Sequence, residues 1–438
     1  MARHEGQASP ITTAGSAVLA QARENAFDRW AGDAQAAGPR IGAGVVIPQV
    51  TPSFRVGPEA TFFAIGSCFA RNVEERLEQA GARVTSRDIA VRDLGNGNAR
   101  AGGVFNKYTP LSVLQELQWA ADPASFPVQA FLEGGKDRYI DPYLSLQAGQ
   151  GNLAEVTARR HEIAAYFAQA FSADVVILTF GLTETWFDAK TGLALNEAPP
   201  PRLLARDPDR FRFACLDVDQ CRQIMDEILA LLARHGKAGQ KRVVTVSPVP
   251  LGRTFTGEDV IVANMTSKST LRTAAKALCA TPDGPDYFPS YEAVMLSEPR
   301  LSWQSDRRHV SDFIVGQIIG TFMARYGVTA SVDPVAKDDT PPETALLAQM
   351  ARDIDRYKNR IIALERAATR PDPVAWANGT LPPLAALPEP MRQDKAVAQW
   401  LADAPTPVAF MVRIYREMRK YKDRIKAMQQ EARDISRS

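Results

Sequence analysis

Thr61-Phe62-Phe63-Ala64-Ile65-Gly66-Ser67-Cys68-Phe69-Ala70 is the stretch on which the fold turns. Its first five residues are almost wholly apolar and read as a short buried strand. Gly66-Ser67 breaks the run, and Cys68–Ala80 continues with helical spacing that puts Val73, Leu77 and Ala80 on one face. A strand, a tight turn and a helix in quick succession form the unit from which open α/β sheets are assembled.

The same unit recurs downstream. Leu111–Ala120, Glu155–Phe171, Cys221–His235, Ala263–Cys279 and Phe313–Tyr326 carry helical periodicity. Asp174–Phe180 is the strongest buried-strand signal, and Arg242–Val246 is another, stopped by Ser247-Pro248-Val249-Pro250. Strands alternating with helices predict an α/β fold with a mostly parallel sheet covered by helices on both faces, three layers in all. Residues 1–44 read as a peripheral segment with a helix over Ala17–Trp30, and residues 45–335 as the α/β domain.

The composition changes from residue 336 to 438. Pro341–Arg370 places Leu347, Met350, Ile354, Tyr357, Ile361 and Leu364 at alternating steps of three and four, and Val408–Arg433 does the same with Met411, Ile414, Met418, Tyr421, Ile425 and Met428. A proline-rich connector separates them. Tyr357-Lys358-Asn359-Arg360-Ile361 recurs as Tyr421-Lys422-Asp423-Arg424-Ile425, an internal repeat of a heptad seam. A narrow apolar stripe flanked by charges predicts coiled-coil pairing, within the chain or between chains as a homo-oligomer or with a partner helix.

Composition narrows the function classes. The 438 residues carry 52 basic and 50 acidic side chains, a formal charge of +2, which gives no global field to attract nucleic acid. Cys68, Cys215, Cys221 and Cys279 form no CxxC pair, so neither a disulfide framework nor a zinc site is expected. No HxxxH, HxH or dense carboxylate cluster suggests a metal, and no cofactor is called for. With no signal-peptide pattern and no apolar run of membrane-spanning length, the expected location is the cytoplasm.

Ser67 stands at the strand-to-helix turn, at the carboxyl edge of the expected sheet, where open α/β folds place their sites. Such a hydroxyl has two readings: a nucleophile, or an N-cap of the helix that follows. A nucleophile needs a base. Of four histidines, His4 lies near the chain start, and His161 and His235 occupy ordinary helix positions. His309 follows Asp306 by three residues, a spacing that lets one turn present a carboxylate to an imidazole. Cys68 is an alternative nucleophile at a helix N-terminus, or else a small buried apolar residue. Glu184 and Trp186 are candidate pocket residues or loop packing, and Arg253, Tyr287 and Tyr291 are candidate substrate contacts.

Gly66-Ser67-Cys68-Phe69-Ala70 resembles the motif of the GSCFA family, itself similar to a branch of the SGNH (GDSL-like) hydrolases. The resemblance covers residues 45–330. It includes Phe105-Asn106-Lys107-Tyr108-Thr109-Pro110, Thr179-Phe180-Gly181-Leu182-Thr183-Glu184-Thr185-Trp186, Ser247-Pro248-Val249-Pro250, Tyr287-Phe288-Pro289-Ser290-Tyr291-Glu292 and the Asp306/His309 pair. It implies Ser67 as nucleophile, His309 as general base and Asp306 as its partner. SGNH enzymes hold the oxyanion with the nucleophile's own N–H, a glycine N–H after the second strand and an asparagine after the third. This chain has Gly102-Gly103-Val104-Phe105-Asn106 at the second place, and Gly181-Leu182-Thr183 where the pattern has Gly-x-Asn. Asn106, Gly181, Thr183 and Glu184 are therefore the candidate oxyanion and substrate residues. The implied function is a serine esterase or O-acyltransferase, with acetyl chemistry on a carbohydrate or glycan ester. The alternative is a catalytically weak binding or scaffold protein that assembles a complex through its heptad helices.

Overall fold

A computed structural model describes residues 12–91, 103–145, 148, 150–304 and 306–328. The heptad helices expected at 341–370 and 408–433, and the connector between them, lie outside the described residues.

The described chain runs through α1 (Gly15–Glu24), α2 (Ala37–Gly42), β1 (Thr61–Gly66), α3 (Cys68–Gln79), β2 (Arg83–Val84), α4 (Pro110–Ala121), β3 (Leu132–Gly135), β4 (Arg138–Ile140) and α5 (Leu153–Ser172). It continues through β5 (Val175–Phe180), β6 (Glu184–Asp188), β7 (Leu193–Leu195), α6 (Pro201–Arg206), β8 (Phe211–Cys215), α7 (Val218–His235), β9 (Lys241–Val246), α8 (Val260–Cys279), β10 (Asp286–Tyr287), α9 (Ser290–Leu296), α10 (Pro299–Ser302) and α11 (Asp312–Tyr326). The first helix ends at Glu24, short of the Trp30 expected, because Asn25 leaves the helical region and its side chain instead accepts the Phe27 N–H.

The central sheet has five parallel strands in the order β10-β9-β5-β1-β2. Alternation along each strand sends side chains to two separate cores. Phe63, Ile65, Val176, Leu178, Phe180, Val244 and Val246 face the layer of α4, α5, α7 and α8. Phe62, Ala64, Val175, Ile177 and Val243 face α3, α9 and α11. Burial on both faces explains why these strands read as continuous apolar runs rather than alternating ones.

Helix starts are marked in the sequence by their caps. Thr109 with Ser112, Asn152 with Glu155, and Asp217 with Gln220 form reciprocal capping boxes at α4, α5 and α7. Two small antiparallel sheets, β3-β4 and β7-β6-β8, are inserted outside the main one. They pack around a third apolar cluster containing Trp119, Leu132, Tyr143, Leu195 and Phe211.

The strand order has one reversal. From β1 the chain steps outward to β2, then crosses back to β5 on the other side of β1 and proceeds to β9 and β10. The crevice beyond the carboxyl ends of β1 and β5 is the topological switch point, where ligands bind in sheets of this kind.

Candidate active site

Gly66 ends β1 with φ +140°, a conformation that L side chains rarely adopt. A methyl group there would fall inside the van der Waals shell of the Thr179 carbonyl oxygen and hydroxyl on β5, and 2.8 Å from the carbonyl carbon. Glycine is thus required twice, by backbone angle and by the approach of the two strands. The turn it permits delivers Ser67 to the switch point.

Ser67 is buried at 3% exposure and caps α3, its Oγ accepting the Phe69 N–H at 3.3 Å. The Ser67 N–H donates to Thr179 O at 3.2 Å, so this backbone donor is already engaged. Directly opposite, after β5, stands Gly181. A methyl group there would lie 3.2 Å from Ser67 Cβ and 3.0 Å from Tyr108 O.

The loop carrying Asn106 and Tyr108 is fastened from both sides. The Lys107 N–H donates to Gly66 O at 2.7 Å, and Leu182 N–H donates to Tyr108 O at 2.8 Å. The Lys107 ammonium is buried against Glu116 of α4 at 2.6 Å and also donates to Tyr143 O, while Glu116 pairs with Arg160, which reaches Asp141. Fully paired buried charges of this kind cost dearly if any member is removed, so they fix the loop. Asn106 is buried, its Oδ1 has no hydrogen-bond partner among the described residues, and its backbone carbonyl accepts from Asn196 Nδ2 at 2.9 Å. Tyr108 is pushed up to about 12 by burial and by the nearby Glu197 and Cys68, against the pull of Asn106 and Arg308.

Thr183 and Glu184 are occupied. The Thr183 N–H and hydroxyl both donate to Ser267 Oγ, at 2.8 and 3.2 Å. Glu184 accepts from the Thr254 hydroxyl at 2.6 Å and the Phe255 N–H at 2.9 Å, pinning the loop after β9. Tyr287 donates to Glu292, and Arg272 stacks on its ring at 3.9 Å, which ties both into a cluster with its own partners. Tyr291 donates to Met265 Sδ at 3.6 Å, and Arg253 lies over the Phe255 ring at 5.4 Å.

Asp306 and His309 meet as the spacing predicts. His309 Nδ1 lies 2.5 Å from Asp306 Oδ2, and Asp306 Oδ1 accepts the N–H groups of Arg308 and His309 at 3.0 Å each. These two backbone donors, with the imidazole beside them, hold the Asp306 carboxyl well below the usual carboxylate range. A carboxylate offers only acceptors, so Nδ1 carries the proton and Nε2 is left as the acceptor. The loop is closed by a Trp303–Val310 bridge, by Gln304 N–H to His309 O at 2.8 Å and by Arg307 at φ +57°. Arg308 lies against Gly252, where an added methyl would sit 2.7 Å from its Nη2. Both side chains of the Asp306/His309 pair are about half exposed, and no hydrogen bond joins His309 to Ser67 among the described residues.

The structure adds residues that the sequence reading did not single out. Gly66, Tyr108 and Lys268 all reach the switch point. Lys268 of α8 is fully buried and donates to Gly181 O and Val249 O, both at 2.7 Å. A signal was present: Lys268 falls on the inward stripe of α8 with Ala263, Ser267, Leu271, Ala274 and Leu278. Among the described residues, no group of three or more His, Cys, Asp or Glu is placed to hold a metal ion, and no helix is long and apolar enough to cross a membrane.

The GSCFA family matches residues 61–322, a span that holds β1 through nearly all of α11. The chain belongs to the GSCFA family. No curated protein and no solved structure matches it.

Proposed function

We propose that this member of the GSCFA family is a serine esterase or O-acyltransferase that works through an acyl-enzyme on Ser67. The observation that carries the reading is the Asp306–His309 pair: an imidazole held in one tautomer at 2.5 Å by a carboxylate that two backbone N–H groups keep ionised. Such an arrangement readies Nε2 to take a proton. Ser67 is the hydroxyl at the switch point.

In this reading Ser67 Oγ attacks the acyl carbon while His309 Nε2 takes the hydroxyl proton, and Asp306 stabilises the imidazolium. The alcohol departs with that proton, leaving the acyl group on Ser67. Water or a second hydroxyl then accepts the acyl group, which is the only difference between hydrolysis and transfer. Nε2 must come within hydrogen-bond reach of Oγ in the substrate complex, roughly 2.6–3.2 Å. The start of α3 adds a favourable dipole for the negative charge that develops. An acetyl ester of a carbohydrate is the substrate class proposed, by resemblance to the SGNH hydrolases.

One observation favours the second reading, a binding or scaffold protein: Ser67 Oγ is already a cap acceptor and is not bonded to His309. A fluorophosphonate probe separates the two. An esterase labels at Ser67, loses the label in Ser67→Ala and keeps it in Cys68→Ala. No labelling, or equal labelling of wild type, Ser67→Ala and Cys68→Ala, would overturn the esterase reading and favour the binding one. Label lost in Cys68→Ala alone moves the nucleophile to the thiol.

A further inference from the structure

Lys268 is a buried ammonium in the middle of a helix, and among the described residues no carboxylate pairs with it. Burying a cation without a counter-charge is costly, and an apolar side chain of similar length would fill the same space without that cost. Its position suggests what the charge is for. Nζ grips Gly181 O, after β5, and Val249 O, after β9, each at 2.7 Å, so it ties together the two loops that follow neighbouring strands of the sheet. Gly181 is in turn the residue against which Ser67 is packed, and the next peptide is held by Leu182 N–H to Tyr108 O.

We propose that Lys268 is a positioning residue for the Ser67 reaction, its ammonium fixing the Gly181 and Val249 carbonyls and keeping the crevice floor electropositive as negative charge develops on the substrate oxygen. This rests on the esterase reading and deepens it. Because the Gly181 carbonyl is drawn toward Nζ, the wall beside Ser67 is set by a charge and not by packing alone.

Among the described residues, the loops after β5 and β9 present the Gly181 and Val249 carbonyls to Nζ, α3 contributes Cys68, and Tyr108 from the loop before α4 neighbours Cys68. Burial pushes Lys268 down to about 7, while Cys68 acts in the opposite direction. The reaction should therefore fail on the alkaline side as Lys268 loses its proton.

The test is the rate of Ser67 labelling by a fluorophosphonate on the full-length chain between pH 5.5 and 9.5, in buffers of constant ionic strength. Wild type is expected to show a descending limb above about pH 7, steepening toward roughly tenfold per pH unit. In Lys268→Met the rate is low and that limb is gone; in Lys268→Arg the rate recovers and no longer falls in this range. A merely structural lysine would lower the rate without removing the limb. A wild-type rate that is flat or rising to pH 9 overturns the inference without any variant, as does a limb that survives in Lys268→Met. If Lys268→Met does not fold, the wild-type profile decides. Absence of Ser67-dependent labelling at every pH overturns the esterase reading and this inference together, whereas Ser67-dependent labelling with a flat profile overturns the inference alone.

Discussion

Gly66→Ala is the substitution for which the structure gives the sharpest expectation. At φ +140° an alanine pays backbone strain of about 1–3 kcal/mol. Its methyl group would also meet Thr179 O, Oγ1 and the carbonyl carbon, so β1 and β5 must part at their ends. That movement weakens Lys107 N–H to Gly66 O and Ser67 N–H to Thr179 O, at about 0.5–1.5 kcal/mol each. The expected loss is about 2–6 kcal/mol, large against the roughly 5–15 kcal/mol that holds an ordinary domain folded. Two glycines serve as controls. Gly192 also has positive φ, +72°, but open space around it, so Gly192→Ala reports the angle alone, about 1–2 kcal/mol. Gly135 has open space without the angle, and Gly135→Ala should stay within about 0.5 kcal/mol of wild type. Urea unfolding followed by tryptophan fluorescence gives the three differences. If Gly66→Ala lies within about 1 kcal/mol of Gly192→Ala, the close approach of β1 and β5 is not what glycine serves here.

Three further outcomes are expected. Asp306→Asn should slow Ser67 labelling by about two to four orders of magnitude while leaving the melting temperature unchanged, because the carboxylate sits in an exposed loop; equal labelling would remove Asp306 from the reaction. Gly181→Ala brings a methyl 3.2 Å from Ser67 Cβ and 3.0 Å from Tyr108 O, so labelling should fall tenfold or more for a stability loss of only about 1–3 kcal/mol, read by labelling and melting on one sample. Glu74, buried beside Arg71 at 2.9 Å, is raised by burial to about 7 from 4.5. A folded-state value above the unfolded one means the native state binds more protons between pH 4.5 and 7, so this contribution is complete below 4.5 and lost as pH rises through 7. Stability measured in urea should fall from pH 4.5 to 7.5, and that dependence should flatten in Glu74→Gln.

The sequence made the parallel sheet legible where burial on both faces left unbroken apolar runs. Val175–Phe180 and the Val243–Val246 part of the next strand are such runs, and the helices around them announce themselves by their period. What stayed hidden was short or set by tertiary contact. A strand of two residues, such as Arg83–Val84 or Asp286–Tyr287, has no periodicity to read. The strands Glu184–Asp188 and Phe211–Cys215 mix polar and aromatic residues and are only partly buried, so their alternation is blurred. At the site, the Asp306/His309 pair was legible because its geometry is local to one turn. Lys268 showed only as a charge on the inward stripe of its helix; its role was hidden, because its partners Gly181 and Val249 are brought to it by the sheet. The occupancy of Thr183 by Ser267 is likewise a contact that no spacing foretells.

The brevity of the outermost strands has a consequence of its own. Among the described residues the central sheet has strands of six residues at β1, β5 and β9, yet ends on both sides in strands of two. On the β10 side, the Ser53 N–H is bonded to the Asp286 carboxylate. Long bare margins invite another chain to add itself to a sheet, which is how many folded proteins begin to aggregate. Here each margin offers too few backbone groups in register to template such an addition. The apolar strands at the centre, which taken singly are the most adhesive sequences in the α/β unit, are thereby fenced off from copies of themselves.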